Sequence, residues 1–86
     1  MRIVFMGSPD FAVESLQALY EAGYEILLVL TQEDKAKGRH AIPEKTAVRK
    51  AAEHLGLPVR TTRRLREDAA LIDEIRHLAP DFIVVA

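Results

Sequence analysis

Short, largely apolar runs alternate along this chain with longer segments in which apolar residues recur at helical spacing. The runs cover residues 2–6 (RIVFM), 24–31 (YEILLVLT), 57–59 (LPV) and 82–86 (FIVVA), and each predicts a β-strand. The segments between them predict helices over residues 9–22, 44–55 and 67–78. On the first helix the spacing predicts an inner stripe of Phe11, Ser15, Leu16, Leu19 and Tyr20. On the third helix it predicts one of Leu71, Ile72, Ile75 and Leu78.

The order βαβαβαβ predicts an α/β fold, a Rossmann-like parallel sheet with right-handed crossovers and the strand order 3-2-1-4. Pro58 places the third strand at an edge of the sheet. Ligands of such sheets bind beyond the carboxyl ends of the strands, where the strand order reverses, which here falls between strands 1 and 4. The turn after strand 1 and Ala86, at the end of strand 4, are expected there.

The fourth strand, which runs from Phe82 to Ala86, is wholly apolar and has no polar residue after it. An apolar strand at the edge of a sheet tends to pair with another strand. Two interpretations follow: the chain self-associates through this strand, or the sheet is truncated after strand 4 and continues in a longer protein. The absence of a helix to cover the strand favours truncation.

Composition narrows the class of protein. The chain has 86 residues, a formal net charge of −1 and no cysteine, which excludes disulfides and thiolate chemistry. No unbroken apolar run exceeds five residues, whereas a membrane helix needs about 20. No signal peptide is visible at the N-terminus. We expect no membrane segment and a cytoplasmic location.

Positive charge is concentrated in the middle of the chain. Residues 31–66 carry a net charge of +6, between segments of −3 and −4. A polar loop of about a dozen residues, 32–43, contributes Lys35, Lys37 and Arg39, and Arg49, Lys50, Arg60, Arg63, Arg64 and Arg66 follow it. Such groups neutralise phosphates, which favours a nucleic-acid partner, but a solvated surface has the same composition. No aromatic residue lies between positions 25 and 81 to stack on a base.

The first turn does not match a dinucleotide site. It reads G-S-P-D-F-A, whereas the fingerprint requires G-x-G-x-x-G and an acid at the end of strand 2. Pro9 stands where the backbone would approach the pyrophosphate, and strand 2 ends in Thr31-Gln32. Ser8 is better placed to cap the first helix than to act as a nucleophile. We therefore expect that the chain does not bind NAD. A nucleotide-binding oxidoreductase is the least favoured of the function classes considered.

No metal is expected either. His40, His54 and His77 are scattered over a loop and two helices, without H-x-H or H-x-x-x-H spacing. His54 and His77 lie near the predicted carboxyl ends of helices, where a cation interacts favourably with the helix dipole.

Several stretches together resemble the N-terminal part of methionyl-tRNA formyltransferases. They are RIVFMGSPDFAVESLQAL, EAGYEILLVLTQEDKAKGR, HLGLPV and LAPDFIVVA, and the resemblance runs over all 86 residues. Members of that family typically read M-G-T-P-x-F-A at the first turn and T-Q-P-D-x-x-x-G-R-G after strand 2. In strand 4 they read P-D-x-I-V-V.

This resemblance implies transfer of a formyl group from 10-formyltetrahydrofolate to the amino group of methionine on initiator tRNA. It implies that Gly7, Ser8, Pro9 and Phe11 wall the cleft for folate and the tRNA acceptor end, so that one glycine suffices in a turn that holds no pyrophosphate. For Phe11, helical spacing alone favours core packing instead. The resemblance also implies that Arg39 is the key tRNA-binding arginine, with weaker contacts from Lys35 and Lys37.

The chain departs from the family pattern at three points. Ser8 replaces the usual Thr, Glu33 replaces the usual Pro, and His40-Ala41-Ile42 stand where a Gly and two lysines are common. The catalytic Asn, His and Asp implied by the resemblance lie beyond residue 86, and this chain contains no asparagine. The expectation is therefore a fragment, residues 1–86, without the catalytic half and the C-terminal tRNA-binding domain, and inactive alone.

Two alternatives to this function stay open. The absence of the two lysines that are common after Arg39 is consistent with a formyltransferase that acts on another amine, such as a sugar nucleotide. The bare fourth strand suits a non-catalytic module that assembles by strand pairing.

Overall fold

A computed structural model describes residues 1–7, 10–33 and 45–86. The strands are β1 (Arg2–Met6), β2 (Glu25–Gln32), β3 (Val59–Thr62) and β4 (Phe82–Val85). The helices are α1 (Asp10–Glu21), α2 (Ala47–His54) and α3 (Ala69–Leu78), and one 3₁₀ turn, Leu65–Glu67, precedes α3. The four strands form one parallel sheet in the order β3-β2-β1-β4, so the predicted order 3-2-1-4 is confirmed.

Apolar side chains alternate between the two faces of β1 and build a core on each side of the sheet. Ile3 and Phe5 pack on the face covered by α1 and α2, and Val4 packs on the face covered by α3. The buried partners on the first face are Ala12, Leu16, Ile26, Val29, Val48 and Ala52. Those on the second face are Leu28, Leu30, Leu71 and Ile75. Coverage on both faces explains why the inner strands read as continuous apolar runs.

The inner face of α1 differs from the predicted stripe. Ala12 and Leu16 are buried, whereas Phe11 is 69% exposed and Tyr20 is 44% exposed. Ser15 is exposed as well, so only Leu16 and Leu19 of the predicted stripe face the core. The prediction of core packing for Phe11 was wrong because α1 approaches β1 closely at its first turn, and a small side chain such as Ala12 fits that contact.

The third strand lies later than predicted. β3 covers Val59–Thr62, and Pro58 precedes it and accepts a hydrogen bond at its carbonyl from the Val29 amide, at 2.9 Å. The strand continues through Thr61 and Thr62 because β2 offers partners as far as Gln32. The predicted edge position is confirmed, since β3 pairs only with β2 in the described sheet.

Side-chain caps set the starts of the last two helices. The Thr46 hydroxyl accepts a hydrogen bond from the Arg49 amide at 3.1 Å, so α2 begins at Ala47. Asp68 accepts from the Leu71 amide at 3.1 Å, so α3 begins at Ala69, two residues later than predicted. Of the predicted inner face of α3, Leu71 and Ile75 are buried and Leu78 packs against the same cluster, whereas Ile72 is not part of it.

Candidate functional site

The carboxyl ends of the four strands meet around one cavity of about 290 Å³. Main-chain hydrogen bonds fix two of these ends to their neighbours. The Gly7 amide donates to the Leu30 carbonyl at 3.0 Å, and the Ala86 amide donates to the Met6 carbonyl at 2.9 Å. The remaining lining comes from Thr31, Gln32, Thr62, Arg63, Leu65 and Val85. Gly7 and Ala86 thus lie together at the edge where the strand order reverses, as predicted.

Gly7 is required by a close approach between elements. An ideal Cβ on this residue would lie 3.0 Å from the Ala12 Cβ, 3.2 Å from the Phe5 Cε2 and 3.5 Å from the Ala86 carbonyl oxygen. The first two distances are shorter than the 3.5–4.0 Å at which carbon atoms pack best. A turn with one glycine is therefore explained by the packing of α1 against β1.

Phe11 places an aromatic ring at the surface beside this turn. It is the second residue of α1, and its 69% exposure leaves most of the ring open to solvent. An exposed apolar ring near the carboxyl edge suits the wall of a binding cleft. Ser8 and Pro9, the other predicted wall residues, lie outside the described residues.

Two threonine hydroxyls join the end of β2 to the start of α2. Thr31 Oγ1 lies 2.6 Å from Thr46 Oγ1, and Thr31 is buried. Because Thr46 also caps α2, this contact fixes the relative position of residues on either side of segment 34–44. The predicted tRNA-binding residues Lys35, Lys37 and Arg39 belong to that segment and lie outside the described residues.

A second, more polar cavity of about 510 Å³ lies next to the first. Thr62 and Arg63 line both cavities, and Glu33, Arg64, Glu67 and Asp68 line the polar one. The sequence analysis did not place residues 62 and 63 at the ligand-binding edge, because it predicted that β3 ends at residue 59. Polar residues at the true strand end, as in Thr31-Gln32 of β2, are the pattern that could have indicated it.

The described residues set limits on other kinds of site. Within them, no three His, Asp or Glu side chains lie close enough together to hold a metal ion. None of the helices in the described ranges has the length and hydropathy that crossing a membrane requires.

Curated relatives match nearly all of this chain. Methionyl-tRNA formyltransferases from Parabacteroides distasonis and Finegoldia magna are 46% identical over 86 residues and 51% identical over 85 residues. The alignments cover 99% and 98% of this chain but 26% and 27% of those relatives. The chain therefore spans about a quarter of the length of the curated relatives that it matches.

A solved structure and a family profile agree with these relatives. The crystal structure of phosphoribosylglycinamide formyltransferase from Bacillus halodurans superposes with a TM-score of 0.65 at 17% identity. The superposition covers 100% of this chain and 44% of that protein. At 17% identity, this similarity shows the fold alone. The sequence profile of the formyl transferase family matches residues 1–86. Since that match extends over the whole chain, we conclude that the chain belongs to the formyl transferase family.

Proposed function

We propose that this chain is the N-terminal part of an enzyme that formylates the amino group of methionyl initiator tRNA. The observation that carries the proposal is the 42–51% identity to methionyl-tRNA formyltransferases over almost the entire chain. The formyl donor is 10-formyltetrahydrofolate, and the enzyme acts in the cytoplasm. No metal and no NAD take part.

In this proposal the chain supplies one wall of the active-site cleft and part of the tRNA-binding surface. Gly7 lines the cavity at the carboxyl edge of the sheet, and the ring of Phe11 is exposed in the first turn of α1. Together with Ser8 and Pro9, these residues form the cleft wall in this proposal. Lys35, Lys37 and Arg39 provide cations for tRNA phosphates.

The chemical step needs groups that residues 1–86 do not supply. A general base must take a proton from the attacking amine, and fixed donors must stabilise the oxyanion of the tetrahedral intermediate. The Asn, His and Asp expected for these roles lie beyond residue 86, so we assign no catalytic residue to this chain. Its contribution is to hold the amine acceptor and the folate donor in the geometry for attack.

The test is formyl transfer by the full-length protein, with methionyl initiator tRNA and 10-formyltetrahydrofolate as substrates. We expect formylmethionyl-tRNA as the product. The alternative substrate class is tested in the same assay with an amino sugar nucleotide. Formylation of the sugar and not of the tRNA would overturn the proposal.

Arg39 is expected to matter for binding of the tRNA. Its replacement by glutamine should lower kcat/KM for methionyl-tRNA about tenfold, mainly through KM, because one charge-assisted phosphate contact is lost. Arg76→Gln is the matched control, since Arg76 lies exposed on α3 and its nearest acid is Asp73, at 3.9 Å. Equal kinetic constants for the two variants would contradict the assignment of Arg39.

A second proposal concerns the open edge of β4. Phe82, Ile83 and Val85 are 57%, 50% and 70% exposed, which is high for apolar side chains of a strand. We propose that the 86-residue chain self-associates through this strand, by pairing its unbonded edge with another copy.

Val85→Lys is expected to reduce this self-association, because a lysine on an edge strand opposes strand pairing. Sedimentation over a range of concentrations should show a shift towards monomer. Gln17→Lys adds the same charge on the exposed face of α1 and should leave the association unchanged. A wild-type chain that sediments as a monomer at every concentration would refute the proposal.

A further inference from the structure

Four arginines lie on β3, on the 3₁₀ turn that follows it and between the two: Arg60, Arg63, Arg64 and Arg66. Some of them form ion pairs and others do not. Arg60 Nη2 lies 3.2 Å from Glu74 Oε2, and Arg64 Nη1 lies 3.6 Å from Glu67 Oε1. Arg63 and Arg66 have no acidic partner within 4.0 Å in the described part of the chain. Two of the four guanidinium groups are therefore available to a partner from outside.

Arg63 differs from Arg66 in its place in the fold. Arg63 directly follows β3 and lines both cavities at the carboxyl edge of the sheet. Arg66 lines neither of them but a third cavity, together with Ile72 of α3. Of the two, only Arg63 stands where ligands of a parallel α/β sheet bind.

The backbone on either side of Arg63 is held in place. The Thr62 hydroxyl donates to Asp68 Oδ2 at 3.2 Å, and Asp68 in turn caps α3. Leu65 packs against the core cluster that contains Leu28 and Leu30. Arg63 therefore extends from a backbone segment whose position is held by these contacts. Binding of a ligand by Arg63 then requires the ordering of little more than the arginine side chain itself.

The acids near Arg63 do not neutralise it. Asp68 is engaged by Thr62 and by the Leu71 amide, and Glu67 pairs with Arg64. Glu33 lines the same polar cavity but makes no ion pair with Arg63 among the described contacts. An exposed guanidinium group that is not held in an ion pair can bind two phosphate oxygens in a bidentate manner.

We propose that Arg63 binds a backbone phosphate of the tRNA at the carboxyl edge of the sheet. This inference rests on the proposed function and adds to it a contact from β3, separate from the segment that carries Arg39. The net charge of +6 over residues 31–66 favours association of this part of the chain with a polyanion. Glu33 lines the same cavity as Arg63. Its negative charge repels the phosphate and so weakens the contact.

The experiment measures the dissociation constant of the full-length protein for methionyl initiator tRNA over a series of salt concentrations. Arg63→Gln should raise the dissociation constant about tenfold, because a charge-assisted contact is lost. It should also lower the slope of log K against log salt by about 0.7–0.9, the value for one phosphate. Arg63→Lys keeps the charge but not the planar fork, so its affinity should fall between wild type and Arg63→Gln.

Two matched variants separate a specific contact from general electrostatic attraction. Arg66→Gln removes a second unpaired charge three residues away, and Arg60→Gln removes a paired one. Each should change the dissociation constant less than about threefold, as expected for screened charges away from the ligand. Glu33→Gln should tighten binding. Equal effects of Arg63→Gln and Arg66→Gln would overturn the proposal.

Failure of this inference can be told apart from failure of the proposed function. If the wild-type protein formylates methionyl-tRNA and Arg63→Gln binds it equally well, the inference is wrong and the function stands. If the wild-type protein formylates only an amino sugar nucleotide, both are wrong. Circular dichroism spectra that match wild type confirm that each variant is folded.

Discussion

Replacement of Phe5 by alanine is expected to lower the free energy of unfolding by about 3–5 kcal/mol. Phe5 is the largest of the fully buried side chains and lies in the middle of the sheet, opposite Val29 of β2 and Val84 of β4. Its loss removes apolar contacts with the cluster under α1 and leaves a cavity that the neighbouring strands cannot close. Because small domains are stable by only about 5–15 kcal/mol, this one change is expected to remove a large part of the free energy of unfolding.

Urea-induced unfolding of the protein measures this effect. Phe5→Leu is the control, since it keeps most of the apolar volume and should cost about 1.5 kcal/mol or less. The Phe5 ring also lies under Gly7, so the cavity would loosen the carboxyl edge of β1. Equal stability of Phe5→Ala and wild type would show that the core on this face is not closely packed.

The topology could be predicted because it depends on few rules. Parallel strands that alternate with helices need crossover connections, and their right-handedness leaves few strand orders. The apolar runs located β1, β2 and β4 to within one residue at each end, because burial on both faces makes such strands continuous in sequence. The placement of Gly7 and Ala86 at the same edge of the sheet followed from that order alone.

The face of α1 could not be predicted in this way. Two overlapping stripes include Leu16: one contains Phe11 and Tyr20, and the other contains Ala12. The larger side chains favoured the first stripe. The distance between α1 and β1, however, decides which stripe is buried. The spacing of residues within one helix contains no information about that distance. The structure buries Ala12 and leaves Phe11 exposed.

The candidate site was predicted in part for a related reason. Gly7 was expected at the carboxyl edge, and it lines the cavity there. Phe11 is exposed in the first turn of α1, and its place in the cleft wall stays a prediction. The contribution of Thr62 and Arg63 was missed, since weak β-strand character in VRTT placed the strand two or more residues too early. The contact between Thr31 and Thr46 joins residues 15 apart and depends on how α2 docks, which no local pattern encodes.

Gly7→Ala is expected to lower the free energy of unfolding by about 1–3 kcal/mol, although it adds only a methyl group. The backbone at Gly7 does not have the positive φ found at Gly23 and Gly56, so the reason lies in space and not in conformation. The added Cβ would lie 3.0 Å from the Ala12 Cβ, and neither atom has a side-chain torsion that could relieve the contact. The start of α1 must therefore move away from β1, and Phe11 moves with it.

A double-mutant cycle with Ala12→Gly tests this explanation. Ala12→Gly alone should cost about 1–2 kcal/mol, from lower helix propensity and one lost buried methyl group. In the double variant the methyl group passes from α1 to the turn and the contact between the two Cβ atoms disappears. The double variant should then be more stable than the sum of the two changes predicts, by about 0.5 kcal/mol or more. Strict additivity would mean that Phe5 Cε2, 3.2 Å from the new Cβ, is the group that requires a glycine at position 7.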